Sequence, residues 1–514
     1  MSADTPFRIV ILGGGSAGWI TASLFAKAWQ DRNVEITVVE SPEIGIIGVG
    51  EGSTPQLKWF FDHLDIREAE WMPACDATYK IGIRFKGWSD RKGFESYFHP
   101  FLAAIDMHSQ PAFFRNCLLR RGGVDANAHP DQFYLSPLLA TARQGPHPSQ
   151  NFPFELSYGY HFDAHKLGGF LRDHAVRLGV KHLPTRIDEV IIGASGDVEA
   201  LRDENGVLIE GDFFVDCSGF RAMIAEKALD VEYLPFTNNL FNNCAVVMPT
   251  AVDYDENGSP AIITEATAMH AGWRWSIPLT SRHGNGYVYS DRYIDADAAE
   301  TELRGALGML DSDVEARHLQ MRVGRLKDSW TANCLAIGLS QGFIEPLEAT
   351  AIHIVIATVQ EFIAAFSDGG FTPKHRAIFN QRIALRYEGI RDYIVGHYRL
   401  NQRSDIKGLG GEYWRDNAAH SELSGNLKAM MTAWFTGQDI EAEVARLKIG
   451  GFYSAISWHC LFAGYGTFPT EEKLRAATPS DQAADMNKAS DFLRRAAMNF
   501  GSHADALTTL GEEP

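Results

Sequence analysis

Residues 13–18 read Gly13-Gly14-Gly15-Ser16-Ala17-Gly18, a Gly-x-Gly-x-x-Gly spacing with a mechanical meaning. Gly13 permits a tight turn, Gly15 lets backbone approach a pyrophosphate, and Gly18 lets a helix pack close to a strand. Ser16 and Ala17 lie within the loop, ahead of a helix whose N-terminal N–H groups face negative charge. The apolar run at residues 7–12 reads as the strand leading in, residues 19–29 as the helix, and residues 34–39 as a second strand ending at Glu40. Glu40 lies roughly 20 residues past the loop, where a carboxylate can bind ribose hydroxyls. A glycine turn alone is common; strand, loop, helix, strand and acid in series predict a dinucleotide site. No second loop of this kind is visible, so FAD is expected rather than a nicotinamide.

Further motifs follow. Trp273-Arg274-Trp275-Ser276-Ile277-Pro278 places two tryptophans at spacing two, on one face of a strand, as a rigid apolar wall. In Thr78-Tyr79-Lys80-Ile81-Gly82-Ile83, apolar residues alternate with Lys80 and Gly82, a pattern whose ordinary reading is a strand with an exposed lysine. Glycines recur in Gly48-Val49-Gly50-Glu51-Gly52-Ser53-Thr54-Pro55, in Asp216-Cys217-Ser218-Gly219-Phe220-Arg221, and in Gly338-Leu339-Ser340-Gln341-Gly342 ahead of Glu345-Pro346-Leu347-Glu348-Ala349-Thr350.

Together these segments resemble the flavin-dependent halogenases of the tryptophan halogenase family over nearly the whole chain. The resemblance implies that Gly50, Glu51 and Ser53 lie along the flavin and that Gly338 and Leu339 form a second flavin contact. It makes Lys80 the essential lysine, Glu348 the catalytic carboxylate, and the backbone N–H groups of Thr350 and Ala351 the halide site. Trp273 and Trp275 become the wall that separates flavin from substrate, while His99, Phe101 and Trp458 bind the aromatic ring. The chain departs from the family pattern with Ala349 for a serine and Ala351 where glycine is common.

The implied reaction uses reduced FAD, oxygen and chloride or bromide to halogenate an electron-rich aromatic such as indole or tryptophan, through hypohalous acid guided to Lys80. Glu348 would stabilise the cationic ring intermediate and take its proton. A separate NAD(P)H-dependent flavin reductase is the implied partner, and a homodimer is compatible with the sequence. An FAD-dependent aromatic monooxygenase shares the glycine loop but has no use for Lys80; a non-catalytic flavoprotein explains neither the wall nor Lys80 and Glu348. Residues 451–459 offer Tyr453, Trp458 and His459 but no adjacent tyrosines and no acid, so simple indoles are expected to be accepted at least as well as free tryptophan, whose charges need partners.

The elements that must position these residues belong to an α/β fold. Its FAD-binding monooxygenase-like module, a Rossmann-type βαβ unit with a glycine loop, interleaves with a β-rich substrate layer over residues 1–370. A mainly helical module over residues 371–514 closes the pocket. Its stripe of Ile383, Tyr387, Ile390 and Ile394, after a helix start at Thr372-Pro373, reads as core packing. With 514 residues, 45% hydrophobic and 22% charged, the chain can bury a large core. A net charge of −18 argues against nucleic acid as partner. The apolar residues 9–26 are broken by three glycines, so no signal peptide or membrane span is expected. Six scattered cysteines without a Cys-x-x-Cys pair read as buried thiols of a cytoplasmic protein. His161 and His165, four apart, lack a third ligand, and no metal is expected.

Overall fold

The computed structural model describes residues 5–43, 50–256, 258–403 and 411–510. The chain divides into two compact units, each assembled from three segments: residues 1–77, 162–237 and 321–387 in one, and residues 78–161, 238–320 and 388–514 in the other.

The first unit is built on a six-stranded sheet. Phe7–Leu12 lies inside it, parallel to Val34–Glu40 on one side and to Phe213–Asp216 on the other. Lys181–Pro184 extends the sheet past Val34–Glu40, and Cys334–Ala336 extends it past Phe213–Asp216. Because the chain leaves Phe7–Leu12 toward one neighbour and returns on the other side, the carboxyl end of this strand is a topological switch point, where open parallel sheets form ligand crevices. The helix after it, Ser16–Ala28, begins one turn earlier than the apolar run suggests, directly behind Gly15. It packs on the helix Ala351–Asp368, which is long and apolar enough to cross a membrane, yet here buries Ile354, Val355, Ile356, Val359, Phe362 and Phe366 in protein. All six strand positions from Ile9 to Leu12 and at Val38 and Val39 are buried, as expected for a sheet covered on both faces.

The second unit is organised around a seven-stranded sheet. Gly272–Pro278 sits between Thr264–Met269 and His283–Tyr289, antiparallel to both. Thr264–Met269 in turn runs parallel to Gly82–Lys86, which pairs with Ser96–Pro100. The strand predicted around Lys80 is split: Thr78–Lys80 pairs with Gly159–Asp163, while Gly82–Lys86 joins the large sheet. Helices follow, including Gly425–Phe435, Ile440–Leu447, Ala455–Gly464 and Met486–Ala497. The expected stripe of Ile383, Tyr387, Ile390 and Ile394 lies on the helix Arg376–Arg399, and all four side chains are buried.

Candidate functional site

In the first unit the glycine loop is shaped by what its glycines exclude. Gly13 has φ +118°, and a Cβ there would lie 2.1 Å from the Cys217 carbonyl oxygen. A Cβ on Gly18 would lie 1.9 Å from the Gly13 carbonyl oxygen, so helix and turn touch backbone to backbone. Gly15 has no neighbouring atom within 4 Å of its Cβ direction. Two glycines are therefore required by protein packing and the third borders open space, which is the division a bound pyrophosphate needs. Gly14, to which the spacing assigns no role, is also constrained: its Cβ would fall 2.1 Å from the Glu40 carboxyl carbon. Glu40 thus stands beside the loop, where its carboxylate lies 3.0 Å from His182 Nε2.

The predicted flavin segment at Gly338 meets the same loop. Ala17 meets the Gly338 position so closely that a Cβ there would lie 2.7 Å away, and Gly338 adopts φ +66°. Leu339 follows in a short turn, and the Ser340 hydroxyl donates to the Gly219 carbonyl at 3.0 Å. Asp216, fully buried, accepts from the Ser218 hydroxyl and from the Ile224 and Ala225 N–H groups, which fixes the turn at the end of its strand. These residues fit the dinucleotide end of FAD through an open cradle, a carboxylate beside the glycine loop, and turns fixed by hydrogen bonds.

Gly48 and Val49 lie outside the described residues. Gly50, Glu51 and Gly52 form a short strand, and Ser53 is buried. Burial, reinforced by the negative charge of Asp163, pushes the Glu51 carboxyl up to about 7. Thr54 Oγ1 lies 3.4 Å from His353 Nδ1, on the first turn of the helix Ala351–Asp368. Burial, and then the charge of Arg386, holds that imidazole down at about 4 and hence neutral.

Glu348 is buried at the end of a short turn, and Ala349 takes the left-handed conformation, φ +55°. Thr350 precedes the helix and Ala351 opens it, so the Ala351 N–H belongs to the first turn, whose donors have no partner inside the helix. The Thr350 hydroxyl is buried without a hydrogen-bond partner among the described residues. An unpaired buried hydroxyl beside a helix N-terminus is a suitable environment for a small anion.

In the second unit Lys80 is fully buried, which overturns the solvent-exposed reading of its alternation. Both faces of its strand are covered, so period-two alternation does not mark a wet face here. Its Nζ lies 5.5 Å from the centre of the Phe101 ring, and the Phe101 N–H donates to the Ile81 carbonyl at 2.9 Å. His99, also on this stretch, has Nε2 at 3.1 Å from the Ser457 hydroxyl, one residue before Trp458. Trp458 lies edge-on to Tyr393, which stacks face to face on Tyr453 at 3.6 Å. Within this unit Lys80 thus meets Phe101, while His99 and Trp458 share Tyr393 as a ring neighbour and are joined through Ser457.

Trp273 and Trp275 share one face of their strand, with rings 6.1 Å apart, and both are buried. Trp275 lies opposite Gly286, where a Cβ would fall 2.1 Å from the indole, so Gly286 is the seat of the Trp275 ring.

Asp392 comes from the helix Arg376–Arg399, far in sequence from residues 451–459, and lines a small cavity with Tyr453 and Trp458. Burial raises its carboxyl to about 6, although the Ser424 hydroxyl donates to it at 2.7 Å. The absence of an acid from residues 451–459 therefore does not mean the absence of an acid beside them. His161 and His165 do not share a helix face: the first lies on the strand Gly159–Asp163 and the second on the helix Ala164–Arg177. Among the described residues no group of three metal-ligating side chains occurs.

A family profile described as tryptophan halogenase matches residues 8–481. The chain is 38% identical over 437 residues to tryptophan 6-halogenase SttH of Streptomyces toxytricini, covering 81% of this chain and 82% of that one. It is 36% identical over 530 residues to 7-chloro-L-tryptophan 6-halogenase KtzR of Kutzneria sp. (strain 744), covering 98% and 99%. Among solved structures, BrvH, a flavin-dependent halogenase from Brevundimonas sp. BAL3, matches with a TM-score of 0.82 at 31% identity, over 98% of this chain and 99% of that one.

Proposed function

The chain belongs to the tryptophan halogenase family of flavin-dependent halogenases, and on that premise we propose that it chlorinates or brominates an indole-type ring, with Lys80 delivering the halogen and Glu348 serving the ring. When bound, reduced FAD together with oxygen supplies the oxidising power that turns halide into hypohalous acid. The protein's part is to bind, orient and separate. Gly13, Gly15, Ser16, Ala17, Gly18 and Glu40 would hold the dinucleotide, with Gly50, Glu51, Ser53, Gly338 and Leu339 along the flavin. The Thr350 hydroxyl and the Ala351 N–H would hold the halide, and the Trp273–Trp275 wall would keep the organic substrate from the flavin.

The single observation that carries this reading is the burial of Lys80 against the Phe101 ring, on the same stretch as His99. A buried amine among aromatic faces is costly as a structural device and well suited to hold a polar oxidant beside a ring. His99, Phe101 and Trp458 would bind that ring by its faces, an interaction worth about 0.5–1.5 kcal/mol beyond area burial and indifferent to substituents. Glu348 would stabilise positive charge on the ring and accept its proton.

The test is to supply reduced FAD from an unrelated NAD(P)H-dependent reductase, with oxygen, bromide and indole, and weigh the product. A bromine-bearing product supports the proposal, whereas an added oxygen favours a hydroxylase. Competition between indole, tryptamine and tryptophan then reads the side-chain pocket. Indole should hold its own against tryptophan within about tenfold, or about 1.4 kcal/mol, and a marked preference for amine-bearing indoles would assign Asp392 to the ammonium.

A further inference from the structure

The strand that carries Lys80 is braced by two buried histidines outside the machinery described above. Thr78 and Lys80 point to the same face of this strand, two residues apart, and Thr78 lies opposite His161 in the register with Gly159–Asp163. His161 is fully buried and bridges two hydroxyls: Nδ1 lies 3.1 Å from Thr78 Oγ1, and Nε2 lies 3.0 Å from Thr264 Oγ1. On the backbone of the same strand, the Tyr79 N–H donates to His503 Nε2 at 3.3 Å, and His503 Nδ1 lies 3.0 Å from the Pro260 carbonyl.

Proton bookkeeping determines the direction of the first chain. The Thr78 hydroxyl donates its one hydrogen to the Pro278 carbonyl at 2.7 Å. Toward His161 it can then only accept, so Nδ1 carries the proton. In the neutral ring Nε2 is left as an acceptor, and it takes the hydrogen of the Thr264 hydroxyl. Each of the three hydrogens along Thr264, His161 and Thr78 then has an acceptor, ending on the Pro278 carbonyl, and the neutral chain admits one tautomer. Pro278 closes the strand that bears Trp273 and Trp275, while Thr264 opens its neighbour, which pairs with Gly82–Lys86 just beyond Lys80. The four-residue chain therefore ties the lysine strand to the tryptophan wall by a route that runs through no backbone pairing.

We infer that His161 is a positioning residue for Lys80: as a neutral Nδ1–H imidazole clamped between Thr264 and Thr78, it fixes the lysine strand relative to the tryptophan strand and so sets where the amine meets the oxidant. A protonated ring would have to donate from Nε2 as well, which would force the Thr264 hydroxyl to turn its hydrogen away. Burial and the nearby positive charge of Lys80 both oppose that protonation. The inference rests on the halogenase reading for its activity readout but makes a claim about the ring that is independent of it.

Two measurements test it. The first is the ¹⁵N spectrum of the histidines in the whole protein, assigned with His161→Asn: His161 should appear as the neutral Nδ1–H tautomer, unchanged across neutral pH. An Nε2–H tautomer or a ring that titrates near neutrality overturns the proposal, whatever reaction the enzyme catalyses. The second is the fraction of consumed reduced FAD and oxygen that ends as halogenated indole rather than as oxidant escaping to a trap in solution. His161→Phe keeps a ring but breaks both bonds, and should lower this fraction about tenfold, in line with the cost of misplacing a reacting group. His161→Asn puts an amide N–H near the Nδ1 position and should recover most of the loss; Thr264→Val, nearly isosteric, should show a smaller loss than His161→Phe. An unchanged fraction in both His161→Phe and Thr264→Val overturns the inference, as does equal loss in His161→Phe and His161→Asn. If the wild-type protein makes no halogenated product at all, the halogenase reading fails while the tautomer measurement still stands on its own.

Discussion

The dinucleotide cradle of the first unit and the lysine strand of the second hold their chemistry by opposite means. The cradle is mainly backbone: Gly13 and Gly18 leave no room for a Cβ, Gly15 leaves space, and the Glu40 carboxylate stands against Gly14. The lysine strand is held by side chains, with Thr78, His161 and Thr264 bonded in series out of water and His503 accepting from the Tyr79 N–H. Backbone sites are specified by what must be absent, and side-chain sites by what must be present. The first kind leaves a compact signature in consecutive residues, whereas the second is spread over more than four hundred positions.

The contrast is broken most severely at its two poles. Lys80→Ala should lower halogenation by about 10³-fold, as expected for loss of a group that touches the reacting atoms, while FAD affinity by fluorescence titration stays at the wild-type value. Gly18→Val should do the reverse, abolishing FAD binding because the new side chain has only the Gly13 carbonyl to displace. A Lys80→Ala protein that halogenates at the wild-type rate would mean that a freely diffusing oxidant does the work.

A smaller effect is expected at Gly286, where the two modes meet, since a backbone glycine seats a side-chain wall. Gly286→Ala should cost about 1–3 kcal/mol in denaturant unfolding, the range for overpacking a core, and should displace Trp275. Product formed per oxygen consumed should then fall several-fold without loss of FAD affinity. Unfolding at the wild-type denaturant midpoint would show that the ring has room to move.

The smallest effect concerns pH. The Glu51 carboxyl, pushed up to about 7 from an ordinary 4.5, is favoured by the fold in its neutral form. Its contribution to stability is therefore complete below the unfolded value and is lost as pH rises through about 7. Glu51→Gln cannot titrate, so its melting temperature should gain on the wild type by about 2–4 °C between mildly acidic and mildly alkaline solution. A constant difference across that range would place the Glu51 titration elsewhere.

How much of each site is legible in the sequence differs for the same reason. The βαβ unit and its glycine loop were legible because strand, turn and helix are local, and each glycine answers to a neighbour near in sequence or on the next strand. The pairing of Trp273 with Trp275 was legible because a strand repeats every two residues, and the observed faces agree. The alternation around Lys80 marks extended chain, but its ordinary reading as one strand with an exposed lysine fails: the stretch is split between two sheets and Lys80 is buried, because periodicity reports which face a residue is on and says nothing of what covers that face. No spacing within residues 451–459 points to Asp392, because a helix from an earlier segment delivers it.

From the sequence alone came the α/β class, the cofactor type, the family resemblance and the residue types available for chemistry, since these depend on short-range spacing and on motifs carried in consecutive residues. Only the tertiary structure decided that Lys80 is buried, that Gly286 seats Trp275, and that His161 and His503 brace the lysine strand. Burial and hydrogen-bond closure are properties of contacts between residues tens to hundreds of positions apart, and no local pattern in the chain encodes which of those partners will meet.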